Sequence, residues 1–326
     1  MIVEQLKTPI LLIAFNRIDS LKVVFAKIRQ VQPTRFYVAI DGPRASKGIK
    51  EVTLVNEVIE YIKNSVDWAC QVNYLIRKEN LGCKLGVSQA ITWFFEHEES
   101  GIILEDDCVP DLSFFYFCQE LLELYQNSEN VMMISGDQFS KNGIQAATDS
   151  SYYFSHLPHI WGWASWRRAW KQYDLSVSDW PKNIEIIKQN AELPEYIWKL
   201  FKENFSLTQA NKIDTWDYQW VYSIWKSKGL VISPKVNLIS NIGFGNEATH
   251  TTNPESIFSK MPVNPISFPL LHPEEMIRNR EQESKSYPIV FPTSSSSAII
   301  RFIKNPSICK RLLRLFSRKP GAKPRG

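Results

Sequence analysis

Four apolar runs in the first 105 residues, separated by helix-patterned segments, constrain this chain more than any other feature. Pro9 to Phe15 (PILLIAF) has no polar position, as expected of a strand buried on both faces. Phe36 to Ile40, Gln71 to Ile76 and Gly101 to Leu104 are the other three, and the turn signal Asp41-Gly42-Pro43 ends the first of these. Between them, Asp19 or Ser20 is placed to cap a helix with Leu21, Val24, Phe25 and Ile28 on one face. A second helix is predicted from Ile49 to Ile62, with Val52, Val55, Ile59 and Ile62 aligned, and a third from Val87 to His97. This βαβαβαβ order predicts an α/β, Rossmann-like fold with a mostly parallel sheet flanked by helices. Right-handed crossovers bring all the strand ends to one edge, where ligands of such sheets bind.

Three polar clusters fall on that edge: Asn16-Arg17, Asp41-Gly42 and the triplet Glu105-Asp106-Asp107. Adjacent carboxylates repel one another unless a cation sits among them. At a strand end they suit Mg²⁺ or Mn²⁺, hard ions that take oxygen ligands and share them with substrate phosphates. Taken alone, the triplet reads more readily as a solvated acidic turn, and its two companions on the edge weigh against that. Arg17 is then expected to face a phosphate, Asp41 a base or ribose, and the triplet a metal.

Beyond the triplet, Asp111 is placed to cap a helix from Leu112 to Tyr125, and Val131 to Ile134 is the next predicted strand. His159 to Trp170 holds four Trp in twelve residues, a density expected of a wall that stacks on sugar faces, with some of the four in the core. A helical stretch from Ile184 to Thr208 follows. Asp214-Thr-Trp-Asp-Tyr-Gln-Trp220 then leads into an apolar helix, Val221 to Trp225, and a strand, Leu230 to Ile232. The glycine-containing stretch from Asn241 onward suits a loop that closes over a ligand and carries His250.

With 326 residues, 44% of them hydrophobic and 22% charged, the chain is long enough for a substantial core. Its five Cys show no metal-type spacing and no secretory leader pattern opens the sequence, which predicts free thiols in a cytoplasmic protein. No apolar run reaches membrane-spanning length. Up to Glu283 the chain carries 28 bases against 34 acids, and after it ten bases and no acid. Residues 253–292 are rich in Pro and charge, 293–297 make a polar linker, and 298–326 combine nine bases with apolar residues. That tail is readable as an amphipathic segment peripheral to an anionic membrane or as a basic disordered tail. Nucleic acid is not expected as a partner.

The runs LLIAFNR, NLGCKLGVS, ILEDD, GWASW and TWDYQW, with the Asp41 turn and the late His250 loop, together resemble GT-A fold glycosyltransferases. The likeness is to bacterial transferases that use nucleotide-diphospho-sugars and are akin to N-acetylglucosaminyltransferase I, whose metal motif is also EDD. It covers residues 8 to 252. The resemblance implies a GT-A domain over 1–252, with a nucleotide-sugar and metal half (1–137) and an irregular, aromatic-rich acceptor half (138–252), followed by an extension (253–297) and the basic tail (298–326). It also implies Asp107 as metal ligand for Mn²⁺ or Mg²⁺, with His250 as a further ligand, and Asp217 as catalytic base. Arg17, Asp41, Lys84, Glu105 and Asp106 would meet the donor, and Trp161 and Trp163 the acceptor or donor sugar. The expected activity is a metal-dependent, inverting transfer of a hexosyl or N-acetylhexosaminyl group from a nucleotide-diphosphate sugar to a glycan or lipid-linked glycan. Asp214 is the rival of Asp217 for the base. A nucleotidyltransferase acting on a sugar phosphate, or a non-catalytic glycan- or partner-binding protein of the same fold, are the alternatives.

Overall fold

The computed structural model describes residues 5–139, 148–244, 256–259 and 261–292. The first half alternates strand and helix: β1 (Ile10–Ala14), α1 (Ile18–Val31), β2 (Arg35–Ile40), α2 (Ile49–Ser65), β3 (Gln71–Ile76), α3 (Gly82–His97) and β4 (Ser100–Glu105). A short β5 (Cys108–Pro110) leads to α4 (Leu112–Leu124), β6 (Val131–Ser135), β7 (Tyr152–Ser155), β8 (Trp163–Trp166) and the single turn α5 (Arg167–Trp170). Then come α6 (Trp180–Ala191), α7 (Glu195–Gln209), α8 (Asp217–Lys226), β9 (Leu230–Pro234), β10 (Ile239–Asn241) and α9 (Arg280–Val290).

Eight strands form one sheet in the order β3-β2-β1-β4-β8-β6-β9-β7. β3, β2, β1 and β4 are mutually parallel, as are β6 and β9, whereas β8 runs antiparallel between β4 and β6 and β7 closes the far edge antiparallel to β9. Alternate residues of β1 serve opposite faces. Ile10, Leu12 and Ala14 join Leu21, Phe25 and Ile28 of α1 in one core, and Leu11 joins Val87, Ile91 and Phe94 of α3 in the other. Burial on both faces is why β1 is apolar throughout, whereas β3 at the edge of the sheet is exposed or half-exposed along its length. The two-stranded ribbon of β10 and β5 pairs Asn241 with Cys108 and sets residues 242–244 beside the acidic triplet.

Three boundaries differ from the sequence expectation. α3 begins at Gly82, more than a turn before Val87, because side chains distant in sequence cap it. The predicted helix over 184–208 is two helices, since Glu192 is left-handed (φ 47°) and Pro194 opens the second. The region 253–292 contains α9, and its described part packs into both cores through Phe258, Ile266, Leu270, Tyr287 and Val290. Among the described residues no helix is long and apolar enough to cross a membrane. His250 and the tail 298–326 lie outside the described residues.

Candidate active site

The triplet sits where β4 turns into β5. Asp106 is 2% exposed, and its Oδ2 accepts the Phe15 amide at 3.1 Å while its Oδ1 pairs with the Arg17 guanidinium. Arg17 Nη1 also reaches Asp107 Oδ2 at 2.7 Å, so one cation bridges two adjacent acids. Asp107 Oδ1 accepts the Cys108 thiol at 3.3 Å. Gly243 backs onto this carboxylate, and a Cβ there would fall 1.9 Å from Asp107 Oδ2, so no side chain fits at 243 without moving the acid.

One guanidinium does not balance this cluster. Burial, then the charge of Asp107, push Glu105 up to about 8 against the pull of Arg17, and Asp106 and the more distant Asp217 add to the rise. Asp106 is likewise raised, by burial first, with Arg17 opposing. Burial disfavours the Arg17 cation itself, but the charges of Asp106 and Asp107 outweigh it and hold the pKa of Arg17 above its ordinary value.

Asp217 opens α8, near enough to Glu105 for its charge to add to the rise of the Glu105 pKa. Its Oδ1 accepts the Thr215 hydroxyl and the Tyr218 amide at 2.9 Å. Asp214 is engaged elsewhere, accepting the Cys83 amide (3.2 Å) and the Lys84 amide (2.9 Å) at the start of α3. Of the two rivals, Asp214 is thus occupied as the cap of α3, and Asp217 is the one whose charge reaches Glu105.

Asp41, at the end of β2, accepts the amides of Gly42 and Leu81 at 3.1 Å, and burial raises its pKa despite these bonds and the nearby Arg77. It thus joins β2 to the start of α3. Lys84, expected near the donor, instead directs its ammonium to Asn211 Oδ1 at 2.7 Å. The expectation for Trp163 is likewise corrected. It is 1% exposed and stacks on Trp216 (5.7 Å between centroids, 17°), because every position of β8 is buried within the sheet. Trp161 is half-buried. Its amide is held by Asp137 Oδ2 at 3.0 Å, and its ring meets Phe139, Phe244 and Phe258 edge-on.

The sequence reading missed Arg77, Phe15 and Cys83. Arg77 follows β3 on the same edge and donates to Gly86 O at 2.9 Å, so the rule that selected Arg17 and Asp41 also selects it. Arg44 lies over the Phe15 ring at 5.3 Å. The Cys83 thiol experiences the charges of Glu105, Asp217 and Asp214, and burial first and then these acids raise its pKa well above the ordinary value. Only its location in three dimensions reveals it.

Among the described residues no group of three or more His, Cys, Asp or Glu converges as a ready metal cage. The donor set nonetheless fits a hard divalent ion, because such ions are commonly held by one or two carboxylates plus substrate phosphates and water. The surplus of acids over the single Arg17 is the electrostatic counterpart of that fit.

No protein-family model and no curated protein matches the sequence. Among solved structures, HddC from Yersinia pseudotuberculosis matches 49% of this chain and 77% of its own length at 11% identity and TM-score 0.32. The same protein complexed with GMP-PN matches over the same shares at 9% identity and TM-score 0.32. A likeness of that extent assigns the chain to no family.

Proposed function

We propose that this chain is a metal-dependent, inverting glycosyltransferase of the GT-A type that transfers a sugar from a nucleotide-diphosphate donor to a glycan or lipid-linked glycan. The observation that carries the reading is the over-acidic cluster at the carboxyl end of β4, with a separate carboxylate, Asp217 at the start of α8, near enough for its charge to reach Glu105. Asp107 would hold Mn²⁺ or Mg²⁺, with His250 as the further ligand that the sequence resemblance implies. When bound, the ion stabilises negative charge on the departing diphosphate.

The chain's own residues supply the remaining roles. Arg17 neutralises part of the cluster and stands where a phosphate meets the acids. Glu105 and Asp106 line the donor side. Asp217 takes the proton from the attacking acceptor hydroxyl, a contribution of typically ~10²–10⁴-fold. Its Thr215 and Tyr218 bonds hold the carboxylate in one orientation for that transfer. Trp161 and its aromatic neighbours offer an apolar wall for a sugar ring. The basic tail would bring the enzyme to an anionic membrane carrying the acceptor, and truncation after Ser297 should then lower partition to anionic vesicles.

The test is a screen of nucleotide sugars with purified full-length protein, reading released nucleoside diphosphate with Mn²⁺, Mg²⁺ or chelator. Turnover that requires the ion and releases nucleoside diphosphate supports the proposal. Release of pyrophosphate would replace it with nucleotidyl transfer, and binding without turnover would leave a non-catalytic protein. Asp217→Asn should retain donor binding and lose transfer.

A further inference from the structure

We infer that Asp214 is a positioning residue that fastens the segment entering α8 to the first turn of α3 and so sets where Asp217 stands near Glu105. The inference rests on the reading of Asp217 as base. A helix leaves its first amides without intrahelical partners, and at α3 each of these is taken by a side chain. Leu81 N is bound by Asp41, Gly82 N by Asn80 at 3.2 Å, and Cys83 N and Lys84 N by Asp214. Of these acceptors, only Asp214 belongs to the segment that carries Asp217.

The same two segments are tied a second time, by Lys84 Nζ to Asn211 Oδ1 at 2.7 Å. Their approach is close enough to require glycine. Gly82 is left-handed (φ 75°), and a Cβ there would fall 2.7 Å from Asp214 Oδ2. On the far side of Asp214, Trp216 is fixed by its stacking on Trp163 and by the Tyr173 hydroxyl, which donates to its carbonyl at 3.1 Å. Thr215, between the two anchors, donates to Asp217 Oδ1. With Asp214 removed, the segment keeps the Asn211 tie and the Trp216 anchor but loses its bond to the α3 amides, and the Thr215 hydroxyl that orients the base is free to shift. A misplacement of about 1 Å in such a group is worth roughly 10²-fold in rate.

A simple helix cap makes a different prediction, namely a lower unfolding midpoint and no selective effect on turnover. Asp214→Ala is therefore expected to lower kcat about 10- to 100-fold while donor KM stays within about twofold. Asp214→Asn, which keeps an acceptor oxygen for one of the two amides, should recover most of the rate. Gly82→Ala should reproduce the kcat loss without removing any carboxylate, and the double variant Gly82→Ala/Asp214→Ala should be no slower than the slower single, since both break one contact.

Cys83 provides a readout that does not need activity. Its iodoacetamide labelling in the full chain, followed peptide by peptide by mass spectrometry, should be several-fold faster in Asp214→Ala than in Asp214→Asn, since both remove a charge that Cys83 feels and only the first removes every acceptor for its amide. Unchanged kcat with unchanged Cys83 labelling in Asp214→Ala would overturn the inference, as would additive losses in the double variant. Full turnover in Asp217→Asn would instead refute the base assignment, and wild-type inertness toward every nucleotide sugar would refute the transferase reading. In either case the Cys83 labelling still decides whether Asp214 clamps the segment.

Discussion

The protein contains two buried clusters built from the same residue types with opposite electrostatic outcomes. At the site, Arg17 meets Asp106 and Asp107 beside Glu105, and the acids are pushed above their ordinary range, Glu105 to about 8. At the far edge of the sheet, Arg278 meets Glu283, whose side chain is 1% exposed. Burial raises that carboxyl, yet Arg278, the His156 amide (2.8 Å) and the Tyr287 hydroxyl (2.5 Å) outweigh it and hold Glu283 below its ordinary value. Ser155 Oγ adds a fourth donor at 3.1 Å. The difference is one of number. Glu283 has a cation and enough donors for both oxygens, so α9 is clasped to β7 by a group complete in itself. Among the described residues the triplet shares one guanidinium, and its excess charge is relieved by the proton that Glu105 holds to about 8 or, on the proposed reading, by a bound cation.

The largest expected effect tests that incompleteness. Asp107→Ala should lower ion-dependent turnover by about 10²–10³-fold or more, while its unfolding midpoint stays level or rises, because an acid has left an over-acidic cluster. Glu283→Ala should do the reverse, destabilising the fold by up to about 3–5 kcal/mol by leaving the buried Arg278 cation with only the half-exposed Glu192 at 3.2 Å, with no recovery on adding Mn²⁺. Equal destabilisation by the two substitutions, measured by denaturant titration, would break the comparison.

The next effect is a pair of pH slopes. Glu105 holds its proton to about 8 in the folded chain against 4.5 when unperturbed, so the folded state binds more protons between those values. Stability from this group should fall as pH rises from about 4.5 to about 8 and level off beyond. Glu283 is shifted the other way. Its contribution is present above 4.5 and is lost as pH falls below that value, through its lower folded pKa. Mg²⁺ or Mn²⁺ should flatten the first slope and leave the second. Thermal unfolding from pH 3 to 9, with and without the ion and in Glu283→Gln, separates the two limbs, and an ion that alters the acid limb instead would assign the cation deficit to the wrong cluster.

These clusters also mark what the sequence could disclose. β1, β2 and β4 were legible because burial on both faces leaves an apolar run with nothing else to mean, and the triplet stood out because its acids are contiguous. The start of α3 was hidden because its caps, Asp41 and Asp214, lie 40 and 130 residues away. α9 was hidden for a related reason. Its sequence, REQESKSYPIV, looks solvated, yet Gln282, Glu283 and Ser286 are buried, and Glu283 accepts from Ser155 and His156 at the end of β7, bonds that no apolar periodicity records. Trp161 and Trp163 are two residues apart and both looked like wall, and only the sheet register sends Trp163 into the core. Local pattern reveals burial, whereas pairing between distant polar groups has no local signature.

The smallest expected effect comes from a third pair, Arg29 with Asp67, in which the bidentate geometry of the Glu283 clasp recurs with both side chains about half exposed. Here water does what the surrounding donors do for Glu283, solvating either partner when the other is removed. Asp67→Asn should therefore change the denaturant midpoint by less than about 1 kcal/mol, and raising the salt should erase even that. If Asp67→Asn instead cost as much as Glu283→Ala, burial would not be what separates the clasp from a surface pair. The raised acids at the site would then need a cause other than their desolvation beside a single guanidinium.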